Sequence, residues 1–192
     1  MAGKIFIISA PSGAGKTSLV TTVLQRINPP YNIQLTKTYT SRAPRPGEVP
    51  GKDYHFISLD EFRAKIEQGF FIEWSTAYNA YYGSPRCIFE TVNEQNTSHV
   101  LILDRVGAQK VVEQVSGVIT VWIYTSDINT LEERLGGRQT ETPEQISYRM
   151  QRARQEINLE IQNPLYDYHL LNDNFELAAN QLTQLFLKKL KQ

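Results

Sequence analysis

A single cysteine, Cys87, stands among the 192 residues, so no disulfide can form within the chain. An excess of charge of either sign is also missing: 20 Lys+Arg balance 20 Asp+Glu, for a formal net charge of +0. A general binder of nucleic acid or of a membrane surface carries a basic excess, so that class is disfavoured; a small anion held by a few local arginines is not. No apolar run approaches the ~18 residues of a membrane span, and the opening MAGKIFIISAPSG lacks the long apolar core of a signal peptide. The expectation is a soluble, cytoplasmic protein, a monomer or small homo-oligomer, with no nucleic-acid and no membrane partner. Repeats, heptads and low-complexity tracts are absent, which argues against solenoids and coiled coils. His55, His99 and His169 carry no ligand spacing, so a metal site made wholly of protein is not indicated. What remains, at 41% hydrophobic and 21% charged residues, suits a globular domain.

Four short apolar runs stand out: Ile5–Ser9, Val100–Leu103, Val118–Tyr124 and Tyr168–Leu171. The first three are short and β-branched with little alternation, which predicts strands buried on both faces of a parallel sheet. Helical stretches follow them at Lys16–Arg26, Gly107–Val115 and Ile128–Leu135, and the first stops at Asn28-Pro29-Pro30. Such alternation predicts an α/β fold, a parallel sheet core flanked by helices. The middle of the chain differs. Extended stretches at Ile33–Tyr39, Asp53–Ile57 and Phe70–Tyr78 are separated by Arg45-Pro46-Gly47 and Pro50-Gly51 turns, with one helix opened by Ser58-Leu59-Asp60-Glu61 and carrying Leu59, Phe62 and Ile66 on an apolar face. This predicts a small mixed insertion over residues 33–97 on a core made of residues 1–32 and 98–192. Thr142-Pro143-Glu144-Gln145 opens a long helix to about Gln162, and a closing helix spans Phe175–Leu190 with apolar spacing at Leu177, Leu182, Leu185 and Phe186. The polar, glycine-bearing segment before the long helix suits a mobile lid at about residues 136–150.

Ala10-Pro11-Ser12-Gly13-Ala14-Gly15-Lys16-Thr17 sits between the first strand and the first helix. It matches the phosphate loop G-x-x-x-x-G-K-[ST], with Ala10 in place of the first glycine. Gly13 and Gly15 let the backbone wrap an anion with its N–H groups inward, and the helix N-terminus adds partial positive charge. Lys16 can span the β- and γ-phosphates of a nucleotide, and the Thr17 hydroxyl can ligate Mg²⁺. Ser12, Gly13, Ala14, Gly15, Lys16, Thr17 and Ser18 are therefore the candidate nucleotide-phosphate-binding residues.

Hydrolases and kinases share such a loop, so other residues must separate them. Thr38-Tyr39-Thr40-Ser41-Arg42-Ala43-Pro44-Arg45-Pro46-Gly47-Glu48 sets two arginines three apart; Tyr54, Glu73 in Phe71-Ile72-Glu73-Trp74, and Tyr81-Tyr82-Gly83-Ser84 follow. Paired guanidiniums with tyrosine hydroxyls make a cradle for a phosphate monoester.

These residues resemble the guanylate kinase family, whose members move the γ-phosphoryl of ATP onto GMP. The resemblance runs from about Ile5 to Leu185 and is most specific in T-S-R-A-P-R-P-G-E-V-P-G-K-D-Y-H-F, F-I-E-W and Y-Y-G-S. It implies that the 33–97 insertion binds GMP, that Arg42, Arg45, Tyr54 and Tyr82 hold the GMP phosphate, and that Thr38, Glu73, Ser84 and Asp104 read guanine. The chemistry agrees, because guanine offers N1–H and N2–H₂ donors to a carboxylate, whereas adenine would leave a buried Glu73 unpaired. Arg134-Leu135-Gly136-Gly137-Arg138-Gln139-Thr140 resembles the family's R-L-x-x-R-G-T, which makes Arg138 and Arg149 lid arginines and, with Lys16, the catalytic set. Arg152 and Arg154 read as a solvated helix face, and Asn172-Asp173-Asn174 resembles the family's adenine-side loop. Ile102 and Val106 stand where the family carries an acidic residue and a glutamine, Arg105 lies between them and Asp104 precedes it, and Gln139 replaces the lid glycine. The reading is an ATP:GMP phosphotransferase using Mg²⁺, with the two nucleotide sites closing to exclude water. Two rivals stay open: a phosphate-loop kinase of the same frame with another phosphorylated acceptor, and a non-catalytic guanylate-kinase-like binding module.

Overall fold

Short β-branched runs without alternation become strands covered on both faces, and the helices between them bury one stripe each. The computed structural model describes residues 3–77, 79–137 and 142–192. The larger sheet contains β1 (Ile5–Ser9), β2 (Ile33–Leu35), β7 (Ser98–Ile102), β8 (Ile119–Tyr124) and β9 (Tyr168–Leu171), in the order β2-β7-β1-β8-β9. Pairing is parallel where β2 meets β7 and where β8 meets β9. β1 is buried along its whole length, and β8 at every residue but Tyr124, as the lack of alternation predicts. No helix among the described residues is long and apolar enough to cross a membrane.

The chain divides into two compact units, Met1–Phe6 with Asn32–Val118 and Ile7–Tyr31 with Ile119–Gln192. The first unit holds a second sheet in the order β4-β3-β6-β5, made of β3 (Tyr39–Thr40), β4 (His55–Phe56), β5 (Phe71–Ala77) and β6 (Ala80–Pro85). Antiparallel β5 and β6 set Glu73 opposite Ser84 and Ser75 opposite Tyr82. Because alternate residues share a face, Glu73, Ser75, Tyr82 and Ser84 all point the same way. Helix α2 (Leu59–Glu67) is capped by the Ser58 hydroxyl, which accepts from Glu61 N at 3.1 Å, and stacks Phe62 on Phe71 with ring centroids 4.5 Å apart. Of its expected apolar face only Phe62 is buried, while Leu59 is 39% exposed. Helix α3 (Cys87–Gln95) follows β6, and α4 (Arg105–Gln114), capped by the Asp104 carboxylate, packs against β5.

In the second unit α1 (Lys16–Ile27) packs against α7 (Phe175–Leu190), and Leu19, Val20 and Val23 of the one and Leu182 and Phe186 of the other are fully buried. Leu177, expected on the apolar face of α7, is 57% exposed in the first helical turn. Helix α5 (Asn129–Gly136) packs against α6 (Pro143–Gln162). The α6 start is a reciprocal capping box: Thr142 Oγ1 accepts from Gln145 N at 3.4 Å and Gln145 Oε1 accepts from Thr142 N at 3.0 Å.

Candidate active site

The glycine loop of the second unit has the backbone that its sequence demands. Gly13 (φ 90°) and Gly15 (φ 82°) lie in the left-handed region, which other residues adopt only with strain. A Cβ on Gly13 would also sit 2.8 Å from the Leu131 carbonyl oxygen. Ala10 shows no positive φ and is buried, so the position usually held by the first glycine accepts an alanine. Lys16 Nζ donates to the Ala10 carbonyl at 2.9 Å and so reaches back across the loop. Thr17 and Ser18 are exposed at the start of α1. Arg149 projects from α6, is buried, and donates from Nη1 to Ser12 Oγ at 3.0 Å. The loop is buttressed from outside. Asn172 Nδ2 donates to the Ala14 carbonyl at 2.7 Å, and Arg134 Nη2 donates to the Asn172 carbonyl at 3.0 Å. Asp173 accepts from Ser126 N at 3.0 Å and from Ser126 Oγ at 2.5 Å. Arg138, Gln139 and Thr140 lie outside the described residues. Arg154 is exposed, and Arg152 pairs with Glu156 along α6 at 3.6 Å.

In the first unit most of the residues expected to meet an acceptor nucleotide gather into two clusters, and among the described residues Thr38 makes no side-chain hydrogen bond to either. The first is cationic and aromatic. Arg42 makes a two-pronged pair with Glu48, both distances 2.6 Å, and lies over the Tyr54 ring at 5.1 Å and the Phe56 ring at 5.5 Å. Tyr54 and Tyr82 meet edge to face at 6.1 Å. The Arg45 backbone N–H donates to Glu48 Oε2 at 2.7 Å, so one carboxylate spans both arginine positions. Arginine binding holds Glu48 below the usual carboxylate range, and burial raises Tyr54 above the usual phenol range.

The second cluster is acidic. Glu73 is 4% exposed, and Ser84 Oγ donates to its Oε1 at 2.6 Å. Burial pushes Glu73 up to about 7, opposed by the Ser84 bond and reinforced by the Asp104 charge. Asp104 is occupied at both oxygens: Oδ1 accepts from Gly107 N at 2.7 Å as the α4 cap, and Oδ2 accepts from Ser75 Oγ at 2.9 Å. Lys110 donates to the Trp74 carbonyl and stands 4.7 Å from the centre of that indole ring. Thr38 is buried, and its carbonyl accepts from His55 N at 2.9 Å. Of the residues that set this chain apart from the family pattern, Ile102 ends β7, Arg105 is buried in the first turn of α4 and Val106 is 51% exposed.

Four residues of these clusters carried no role in the sequence reading: Glu48, Ser75, Gly107 and Lys110. Ser75 follows Glu73 by two residues on one strand face, and Lys110 follows Gly107 by one helical turn, so both were within reach of periodicity once the elements were assigned. Glu48 stood inside the arginine motif without a stated partner.

Magnesium fits the donor set. Thr17 offers an exposed hydroxyl oxygen next to the glycine loop, and no group of three or more His, Cys, Asp or Glu among the described residues could build a closed cage. Mg²⁺ commonly takes one or two protein oxygens and fills its shell with phosphate and water.

The sequence matches the family profile described as guanylate kinase over residues 2–189. It is 40% identical to the guanylate kinase of Shewanella sp. (strain MR-7), covering 94% of this chain and 84% of that protein. Identity to the guanylate kinase of Idiomarina loihiensis is 39%, over 96% of this chain and 86% of the relative. Among solved structures, the guanylate kinase of Anaplasma phagocytophilum superposes with a TM-score of 0.80 at 26% identity, covering 100% of this chain and 88% of that one. With the glycine loop and the two side-chain clusters in view, the profile and the relatives agree: the chain belongs to the guanylate kinase family.

Proposed function

We propose that the chain transfers the γ-phosphoryl group of ATP to GMP, giving ADP and GDP. The observation that carries this reading is the buried Glu73 carboxyl on the same sheet face as Tyr82 and Ser84. A buried carboxylate needs donors, and the N1–H and N2–H₂ edge of guanine supplies two. In this reading Thr38, Glu73, Ser84 and Asp104 surround the base, while Arg42, Arg45, Tyr54 and Tyr82 hold the GMP phosphate. Ser12, Gly13, Ala14, Gly15, Lys16, Thr17 and Ser18 hold the ATP phosphates, with Lys16 placed to leave the Ala10 carbonyl for the β,γ-oxygens. Thr17 would hold Mg²⁺, which when bound with ATP offsets the charge on the phosphate oxygens. Arg149, and Arg138 by its place in the motif, neutralise charge as it moves toward the leaving group. The attacking phosphate oxygen is already an anion, so no general base is assigned.

The test is a panel of acceptors (GMP, dGMP, IMP, AMP, UMP and a sugar phosphate) with ATP and Mg²⁺, read by ADP release. GMP should exceed AMP by about 100-fold or more in kcat/KM, the range of a pocket that hydrogen-bonds what the competitor lacks. Preference for any non-guanine acceptor would overturn the assignment.

A further inference from the structure

We propose that Gly107 is a positioning residue for the acceptor base: the space left by its missing side chain is where the Glu73 carboxylate rests. The proposal depends on the reading that Glu73 meets guanine. Gly107 lies in the first turn of α4 with no positive φ, so the backbone does not require glycine there. Alanine is the better residue for a helix interior, and local propensity therefore argues against the glycine. The reason lies across the α4–β5 contact. A Cβ on Gly107 would stand 2.7 Å from Glu73 Oε2, 3.2 Å from Glu73 Cδ and 3.3 Å from Asp104 Oδ1.

Neither neighbour yields without consequence. Glu73 Oε1 is bound by Ser84 at 2.6 Å, and Asp104 is fixed on both sides by Gly107 N and Ser75 Oγ. The far end of the Glu73 side chain is the softest element in the contact, so a methyl group at position 107 displaces the carboxylate and leaves the helix in place. Guanine recognition and helix stability then respond in opposite directions, which a purely structural role of Gly107 would not produce.

The experiment is a double-mutant cycle on the full chain, with KM for GMP, KM for ATP and Tm measured for each protein. Gly107→Ala should raise KM for GMP by about 10-fold while KM for ATP stays within about 2-fold and Tm holds or rises. In the Glu73→Asp background, where the carboxylate is one methylene shorter, the same change should alter KM for GMP by less than about 2-fold. Equal effects in both backgrounds, an unchanged KM for GMP, or a joint rise of both KM values with a lower Tm would overturn the proposal. Glu73→Gln, measured alongside, isolates the underlying reading: if it leaves KM for GMP unmoved, Glu73 does not meet the base, whatever Gly107 does.

Discussion

In the loop Pro11–Lys16 the groups available to an anion are main-chain N–H donors, oriented by two glycines at φ 90° and 82° and a helix N-terminus. In the first unit the groups proposed for the acceptor are side chains, Arg42 paired to Glu48 and Glu73 bound to Ser84, each positioned by strand register and turn geometry. A backbone site is written in consecutive residues and fails when its conformation is lost. A side-chain site draws on residues from 38 to 110 and fails when a buried charge loses its partner. Under the proposed function the first would accept many triphosphates, whereas the second, with its acidic group, would choose among bases.

The largest effect should separate chemistry from acceptor binding. In the proposed reading Lys16 neutralises charge on the transferred group, so Lys16→Ala should lower kcat by about 1,000-fold, the range seen when a preorganised charge at a transition state is deleted. KM for GMP should stay within about 2-fold, since a residue acting mainly in the transition state changes kcat alone. Steady-state ADP release gives both values. An equal loss in GMP affinity would erase the division between the two sites.

Glu73→Gln should strike the other side, raising KM for GMP by about 100-fold with KM for ATP unchanged, the penalty for mismatched buried hydrogen-bond partners. Its pH dependence follows from the position of the carboxyl near 7. Guanine's donors need the ionised form, so KM for GMP should fall as pH rises toward about 7 and level above it. The GMP phosphate also titrates near pH ~6. Comparison with Glu73→Gln cancels that contribution, and the difference between the two profiles belongs to Glu73. Glu48 stays ionised through this window because Arg42 holds it low. Stability should move the opposite way. A carboxyl whose value is raised in the folded protein favours folding while protonated and loses that contribution as pH rises from ~4.3 through about 7. The free protein should therefore lose roughly 3 kcal/mol across that interval from this group, and Glu73→Gln should flatten the slope.

The same contrast explains what could be read in advance. The glycine loop between β1 and α1, the capping box at Thr142–Gln145 and the Ile5–Ser9 strand are contiguous patterns, and each stands where the sequence puts it. The run expected at Val100–Leu103 begins two residues earlier, because polar Ser98 and His99 hide the start of β7. Strand β6, AYYGSP, contains glycine and proline, which are depleted in strands, and α3 has no side-chain cap, so neither announces itself. Within the acidic cluster, Glu73 and Ser84 are eleven residues apart and meet only through the β5–β6 register. Gly107 was the least legible, since its significance lies in a side chain that is missing and a neighbour 34 positions away.

The smallest effect concerns Glu48, which tests whether a side-chain site needs its own scaffolding. Its carboxylate holds the Arg42 guanidinium at two points and the Arg45 N–H at a third. Glu48→Gln keeps the shape and one acceptor oxygen but removes the charge, leaving Arg42 over the Tyr54 and Phe56 rings with a weaker anchor. Two consequences compete: a guanidinium relieved of its carboxylate attracts phosphate more strongly, whereas a mobile one is worse placed. The pair is partly buried, with side chains 14% and 19% exposed, and Glu48 fixes both prongs of the guanidinium, so the loss of orientation should outweigh the gain in attraction. KM for GMP should rise by about 5-fold with KM for ATP unchanged, and raising the salt concentration should widen the gap from the unaltered protein, because orientation is not screened but long-range attraction is. A fall in KM for GMP would show that Glu48 competes with the acceptor phosphate, so that the arginine cluster is restrained by its carboxylate and not prepared by it.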